Sequence, residues 1–195
     1  QLLTFSRKQV MQMRPLDLNE VVSSMTAMLK RVLGEHIVLE FLYSPKVPSI
    51  CADSGMMEQI IINLAVNARD ALPPKGGRLT ISVSSKEITA SDRPKNPEAR
   101  AGRFVCLAVT DSGCGIPPEN LKKIFEPFFT TKEVGKGTGL GLATVYGIVK
   151  QHQGWIDLES EVNKGTTFTV FLPVLTERVE LDPNALRIET ASRSV

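Results

Sequence analysis

The chain has 195 residues, enough for one well-buried core with short appendages. Hydrophobic residues make up 42% and charged residues 23%, the mix of an ordinary globular domain rather than a disordered or fibrous chain. A formal net charge of +2 is too small to point to nucleic acid or an acidic membrane, and no run approaches the roughly 18 apolar residues of a membrane-spanning helix. Cys51, Cys106 and Cys114 show no metal-ligand spacing, and an odd number argues against a disulfide framework, so a reduced, cytosolic setting is the default. The first residues lack the pattern of a secretory signal.

Residues 1–13 read as the end of a longer helix, with Leu2, Leu3, Phe5 and Val10 apolar, no N-cap at the start and Pro15 as its breaker. Asp17 then caps a new helix. Glu20 stands where a capping box needs it, Leu16 and Val21 can form a staple, and Val21, Val22, Met25, Met28, Leu29, Val32 and Leu33 recur at helical spacing before Gly34. Two short strands are expected over 37–43 and 47–52. Asp53 caps the next helix, whose apolar stripe (Met56, Met57, Ile60, Ile61, Leu64, Ala65, Ala68, Ala71) runs to Leu72 before Pro73-Pro74.

Leu79, Ile81 and Val83 alternate with polar residues as in a half-buried strand. Polar residues 89–102 suggest a hairpin insertion, and 104–109 a buried strand running into Asp111. The stretch 112–141 is mostly loop, with one short helix expected from Glu119 to Phe125, and 142–151 is helical. Strands over 155–160 and 166–172 form a hairpin around Asn163-Lys164-Gly165. The tail from 175 to 195 reads as a linker. Helices mixed with antiparallel hairpins point to a two-layer α/β sandwich, one mixed, mostly antiparallel sheet with helices on one face.

Four segments carry candidate chemistry. In Asn63-Leu-Ala-Val-Asn67-Ala-Arg-Asp70 the two asparagines share a helix face; their amides either satisfy nearby backbone or offer carbonyl oxygens to magnesium. Asp111-Ser-Gly113-Cys-Gly115-Ile116 ends a strand in a carboxylate beside glycines, which either makes a plain turn or accepts a hydrogen bond from a flat amino-bearing base. Phe128-Phe129-Thr-Thr-Lys132 is either core aromatics with a solvated lysine or a hydrophobic latch carrying a phosphate-reaching one. Gly135-Lys-Gly137-Thr138-Gly139-Leu140-Gly141-Leu142 opens a helix. Glycines on alternate residues are costly in chain entropy, and the free N–H groups of a helix start attract phosphate, which favours a phosphate loop over a floppy surface one. Nothing matches the Walker pattern.

In this order the segments resemble the N, G1, F and G2 boxes of sensor histidine kinases, within the superfamily that also holds type II topoisomerases, Hsp90 and MutL. Gly165-Thr166-Thr-Phe168 is similar to the strand that closes such sites. The resemblance covers about Pro15 to Pro173 and is nearest to the hybrid sensor kinases, in which a receiver domain often follows. It implies the Bergerat ATP-binding fold, a catalytic domain over 14–174, the end of a dimerisation hairpin over 1–13, and a linker beyond.

It also implies ATP and Mg2+, with Asn67 as metal ligand and Asn63 and Asp70 at the phosphate end. Asp111 would read the adenine amine, Gly113, Gly115 and Ile116 would make room for the base, and Thr166 would support a water beside it. Phe128 and Phe129 would anchor a mobile lid, Lys132 would approach the terminal phosphates, and Gly137, Thr138, Gly139, Leu140, Gly141 and Leu142 would wrap them. The implied partners are the hairpin, in cis or in trans, a response-regulator receiver and a second copy of the full-length protein, with no nucleic acid. The implied place is a cytoplasmic domain, whose parent protein can be anchored in the inner membrane.

The phosphoacceptor histidine of the family, on the first helix of the hairpin, is missing: neither His36, in Gly34-Glu35-His36-Ile37, nor His152, before Gly154 at a helix end, has that context, and both read as structural or solvated. Cys114 inside the base loop is either a plain small residue or a reactive thiol, and the plain reading is favoured. In the superfamily's ATPases a glutamate four residues before the magnesium asparagine activates water. Asn63 stands in that place, and an amide takes no proton near neutral pH, which favours phosphotransfer over hydrolysis. The alternative is a non-catalytic, ATP-gated binding module.

Overall fold

The computed structural model describes residues 11–89, 97–133 and 137–175. The helix end expected over 1–13 and the linker over 175–195 therefore lie outside the described residues, apart from 11–13, which have no regular structure, and Leu175. Gly135 of the glycine run also lies outside them.

Pro15, expected only as a breaker, sits inside a three-residue strand, β1 (Arg14–Leu16), paired antiparallel with β3 (Ile50–Ala52). A short edge strand tolerates proline because one side of it needs no ladder donors. The Asp17 carboxylate accepts from the Asn19 N–H at 2.8 Å and starts the next helix. That helix is not single, as expected, but divided into α1 (Leu18–Ser24) and α2 (Thr26–Leu33). The join is Met25, at φ −83° and ψ −8°, whose N–H still bonds the carbonyls of Val21 and Val22. Gly34, at φ +84°, ends α2.

Strand β2 (Ile37–Tyr43) follows as expected. The Asp53 side chain accepts from the Met56 N–H at 3.1 Å and opens α3 (Ser54–Ala71). The remaining elements are β4 (Gly77–Ile88), β5 (Gly102–Asp111), α4 (Gly141–Gln151), β6 (Trp155–Glu161) and β7 (Gly165–Pro173). The five-stranded sheet has the order β2-β4-β5-β7-β6, with β2 and β4 parallel and every other pair antiparallel. This is the expected sandwich. The inward row of each central strand, such as Leu79, Ile81 and Val83 or Val105, Leu107 and Val109, is buried against the α3 stripe of Met57, Ile60, Ile61, Leu64, Ala65 and Ala68. Full burial of each such aliphatic side chain is worth about 1.5–3 kcal/mol.

Two further features depart from the sequence reading. The short helix expected from Glu119 to Phe125 is a succession of turns, closed by Asn120 N–H to Pro117, Lys123 N–H to Asn120 and Glu126 N–H to Lys123. Prolines at 117, 118 and 127 bracket too few residues to propagate a helix. The outer face of the sheet is also not bare: Ile88, Phe104, Cys106, Trp155 and Phe171 form a second buried cluster with Ala99 against it. Trp155 stacks on Phe171 at 4.7 Å and meets Phe104 edge-on at 4.5 Å. Burial there pushes the Cys106 thiol up to about 11, which keeps it inert. Among the described residues no helix is long and apolar enough to cross a membrane.

Candidate functional site

The site begins on α3. Its regular turns place Asn63, Asn67 and Asp70 along one side, facing the start of α4 and the segment before it. The Asn63 amide donates to the Gly141 carbonyl at 3.3 Å and so ties α3 to the glycine run. Asn67 has no such neighbour: its Nδ2 is buried without a hydrogen-bond partner. A buried unpaired amide costs about 1–3 kcal/mol, and rotation about the last side-chain bond turns its carbonyl oxygen to the same place. The residue fits a hard cation that arrives with its own oxygens. Among the described residues no group of three His, Cys, Asp or Glu side chains could hold a metal. An ion at Asn67 would therefore draw most of its ligands from phosphate and water, as magnesium commonly does.

Asp70 carries the charge balance at this end. Its Oδ1 accepts from Arg69 Nε at 2.9 Å and from a terminal Arg69 nitrogen at 2.8 Å, and its Oδ2 meets Lys132 Nζ at 2.6 Å. Burial alone would raise the Asp70 pKa, but the hydrogen bonds and charges of Lys132 and Arg69 outweigh it and hold the carboxyl below its ordinary value. Lys132 thus lines the cleft beside Asp70, paired to its carboxylate. Arg69 joins it there, which the helical pattern alone did not single out.

At the other end β5 stops at Asp111, whose side chain is 5% exposed. Burial raises its pKa, opposed by backbone N–H bonds from Gly113, at 2.8 Å to Oδ1, and from Thr166. The loop after Asp111 is held from both sides. Cys114 N–H donates to the Ala71 carbonyl at 3.0 Å, and the Cys114 carbonyl accepts from Asn163 N–H at 2.8 Å. A Cβ on Gly113 would stand 2.5 Å from the Ala71 carbonyl oxygen, and one on Gly115 2.2 Å from that of Glu161. These glycines are required by close approach of main chain, and Gly113 supports Asp111 from below rather than lining the cleft.

The segments that cover the cleft are 126–133 and 137–140. Phe129 is half-buried against the main core and lines the cleft, as an anchor should. Phe128 does not anchor by its ring, as was expected: at φ +68° its side chain is turned outward and is 74% exposed. Its backbone makes the link instead, through the Phe128 N–H to the Gly139 carbonyl at 2.9 Å. Gly139, at φ +66°, lies so close that a Cβ would be 2.4 Å from the Phe128 carbonyl carbon. Leu140 is 40% exposed and also stays outside the cleft wall. Thr138 accepts from the Leu140 N–H at 3.3 Å and shapes the turn into α4.

These elements line a cleft of about 490 Å³, within the ordinary range of small-molecule and cofactor sites. Apart from Gly113, Phe128 and Leu140, every described residue to which the resemblance assigns a part in nucleotide binding lines it. The sequence reading missed Asn120 and Thr130, which also line it and sit in irregular segments where no periodicity marks them. Cys114, weighed as a plain small residue, is on the wall too. His36 is exposed. His152 is 3% exposed; its Nδ1–H donates to the Ile148 carbonyl at 2.8 Å and its Nε2 accepts from the Asp53 N–H at 3.1 Å, a structural role that joins α4 to the start of α3.

Comparison with known proteins shows the family. The family described as histidine kinase-, DNA gyrase B-, and HSP90-like ATPase matches residues 52–176. Sensor kinase CckA of Brucella abortus (strain 2308) is 49% identical over 187 residues, which are 93% of this chain and 19% of that protein. Sensor histidine kinase ZraS of Escherichia coli (strain K12) is 37% identical over 175 residues, 89% of this chain and 34% of its own length. The chain thus spans about a third or less of the length of these curated relatives. Among solved structures, the catalytic domain of histidine kinase ThkA superposes with a TM-score of 0.65 at 30% identity, covering 84% of this chain and 97% of that one. Full-length ShkA in complex with AMPPNP gives a TM-score of 0.67 at 26% identity, over 84% of this chain and 31% of that one.

Proposed function

Since the chain belongs to the histidine kinase-, DNA gyrase B- and HSP90-like ATPase family, and aligns with a histidine kinase catalytic domain over nearly all of that domain, we propose that it is the ATP-binding catalytic domain of a two-component sensor histidine kinase. In this reading it gives the γ-phosphate of ATP to a histidine on a dimerisation hairpin, for relay to a response-regulator aspartate. The observation that carries the reading is the convergence of an unpaired asparagine amide, a buried strand-end carboxylate and a helix-opening glycine run on one cleft.

Asp111 accepts the exocyclic amine of adenine, while the tight main-chain packing of the loop gives the base a flat wall. Asn67 would hold magnesium, which when bound would offset the charge of the phosphates. Lys132 and Arg69 stand at the phosphate end, and the free N–H groups at the start of α4 add the positive end of a helix. The chain supplies position and charge rather than covalent chemistry, which is what phosphoryl transfer requires. Asn63 already donates its amide to Gly141 and has no proton-accepting group to activate water, which supports transfer over hydrolysis. The hairpin, the receiver and a second copy of the parent protein are the proposed partners, with a linker after the domain and no nucleic acid.

The test is transfer from labelled ATP in a chain extended N-terminally through the hairpin. Label should appear on a hairpin histidine there. The present chain should bind ATP with negligible self-labelling. Stable label on His36 or His152, or ATP binding in the extended chain without any transfer, would refute the kinase reading.

A further inference from the structure

Across the base end of the sheet runs a row of polar side chains that the four motif segments only partly contain. Asp111 on β5, Thr166 on β7 and Ser160 on β6 are register partners. They extend by one step the apolar row Val109, Phe168 and Leu158, so all three lie on the helix-facing side of the sheet. Nothing in the sequence reading marks Ser160, the outermost of the three.

We propose that Ser160 is a positioning residue of the base slot: a single hydroxyl that fastens the loop after Asp111 to Thr166 and so sets where a purine meets the Asp111 carboxylate. The proposal rests on the nucleotide reading above. Ser160 Oγ accepts from the Ile116 N–H at 2.8 Å, lies 2.9 Å from Thr166 Oγ1, and donates to the Gly165 carbonyl at 3.2 Å. A hydroxyl has one proton and two lone pairs, and three neighbours occupy them here. The other loop tethers, at Gly113 and Cys114, end on Asp111 itself or on main chain. Ser160 is where the far end of the loop is joined to the strand that carries Thr166.

The contact also governs Thr166. When the Ser160 proton points to Gly165, the Thr166 hydroxyl turns its own proton towards Ser160. When the Ser160 proton points to Thr166 Oγ1, the Thr166 proton is released to donate elsewhere. The serine therefore lets Thr166 act as a donor beside the base without losing its own hydrogen bond. Alanine at 160 removes both the loop anchor and this partner, while leaving Asp111, Asn67, Lys132 and the glycine run in place.

The experiment compares the wild-type chain with Ser160→Ala and Ser160→Thr. Amide exchange at Ile116 is followed without nucleotide, and affinities for ATP and for inorganic tripolyphosphate, each with magnesium, are measured by titration calorimetry. In Ser160→Ala, exchange at Ile116 should quicken severalfold and the Kd for ATP should rise about tenfold, equivalent to about 1.4 kcal/mol. Affinity for tripolyphosphate should stay as in the wild type, and Ser160→Thr should restore both readouts. Faster exchange at Ile116 with unchanged ATP affinity, or equal weakening of ATP and tripolyphosphate, overturns the proposal. A wild-type chain that does not prefer ATP to tripolyphosphate instead removes the nucleotide reading, and this proposal with it.

Discussion

Replacing Asp111 by asparagine separates binding from folding. The carboxylate is 5% exposed, and its burial holds its pKa above the ordinary value despite the N–H bonds from Gly113 and Thr166. A raised folded pKa means that the ionised group costs stability. That cost is fully present above the folded pKa and is relieved as the pH falls through it towards the unfolded value of about 3.9. At neutral pH Asp111→Asn removes the buried charge and keeps an oxygen for the Gly113 N–H, so the unfolding midpoint should stay within a few degrees of the wild type. Towards ATP the same change replaces an acceptor by a donor. Loss of a hydrogen bond to a charged group is worth about 1.5–3 kcal/mol, or roughly a 10- to 150-fold rise in Kd. Calorimetric titration with ATP and GTP from neutral pH downwards is the assay. The wild type should lose ATP affinity as the pH falls through the raised pKa of Asp111, whereas the variant should show no such step and a reduced preference for ATP over GTP. Unchanged selectivity, or a loss of binding that merely tracks unfolding, would refute the base-reading role.

Three further changes probe the rest of the site. Asn67→Ala should leave stability unaltered or slightly raised, since its Nδ2 has no partner to lose, and should abolish the magnesium dependence of ATP affinity; surviving dependence would dismiss it as metal ligand. Gly139→Ala forces a side chain into a φ of +66° and against Phe128 main chain, so it should weaken ATP binding at least tenfold with little change in the unfolding midpoint, read by parallel calorimetry and thermal melts. His152→Ala removes two buried hydrogen bonds and should cost about 1–3 kcal/mol, a fall of roughly 3–8 °C in midpoint, without removing phosphotransfer from the hairpin-extended chain.

Local chemistry made much of this fold readable. Asp53 as a cap and Pro73-Pro74 as a stop frame α3, and the β2 run shows its own bounds, because caps and strand edges depend on nearest neighbours. What could not be read depends on pairing across the chain. A strand containing Pro15 exists only because β3 lies beside it, and the division at Met25 has no glycine or proline to announce it. The outer cluster around Trp155 follows from which residues of β5, β6 and β7 fall in register, a tertiary fact. In the cleft, residue types with few uses stood out: alternate glycines, amides on an apolar helix, a strand-end carboxylate. Ser160 did not, since one serine in an alternating strand looks like surface. Phe128 misled for the opposite reason, because an aromatic in a motif suggests burial while its backbone angle turns the ring away.

The three residues of β3 hold more than their own neighbours. Along one side they pair with β1, while Ile50 bridges to Val174 and the Ser49 carbonyl accepts from the Leu175 N–H at 2.8 Å. One residue further on, the Asp53 carboxylate takes the Gln12 N–H at 2.8 Å while capping α3. Tension on the stretch before the domain and tension on the stretch after it thus converge on the first turn of the helix that carries Asn63 and Asn67. A displacement at Gln12 or at Leu175 would reach the start of α3 without crossing the sheet.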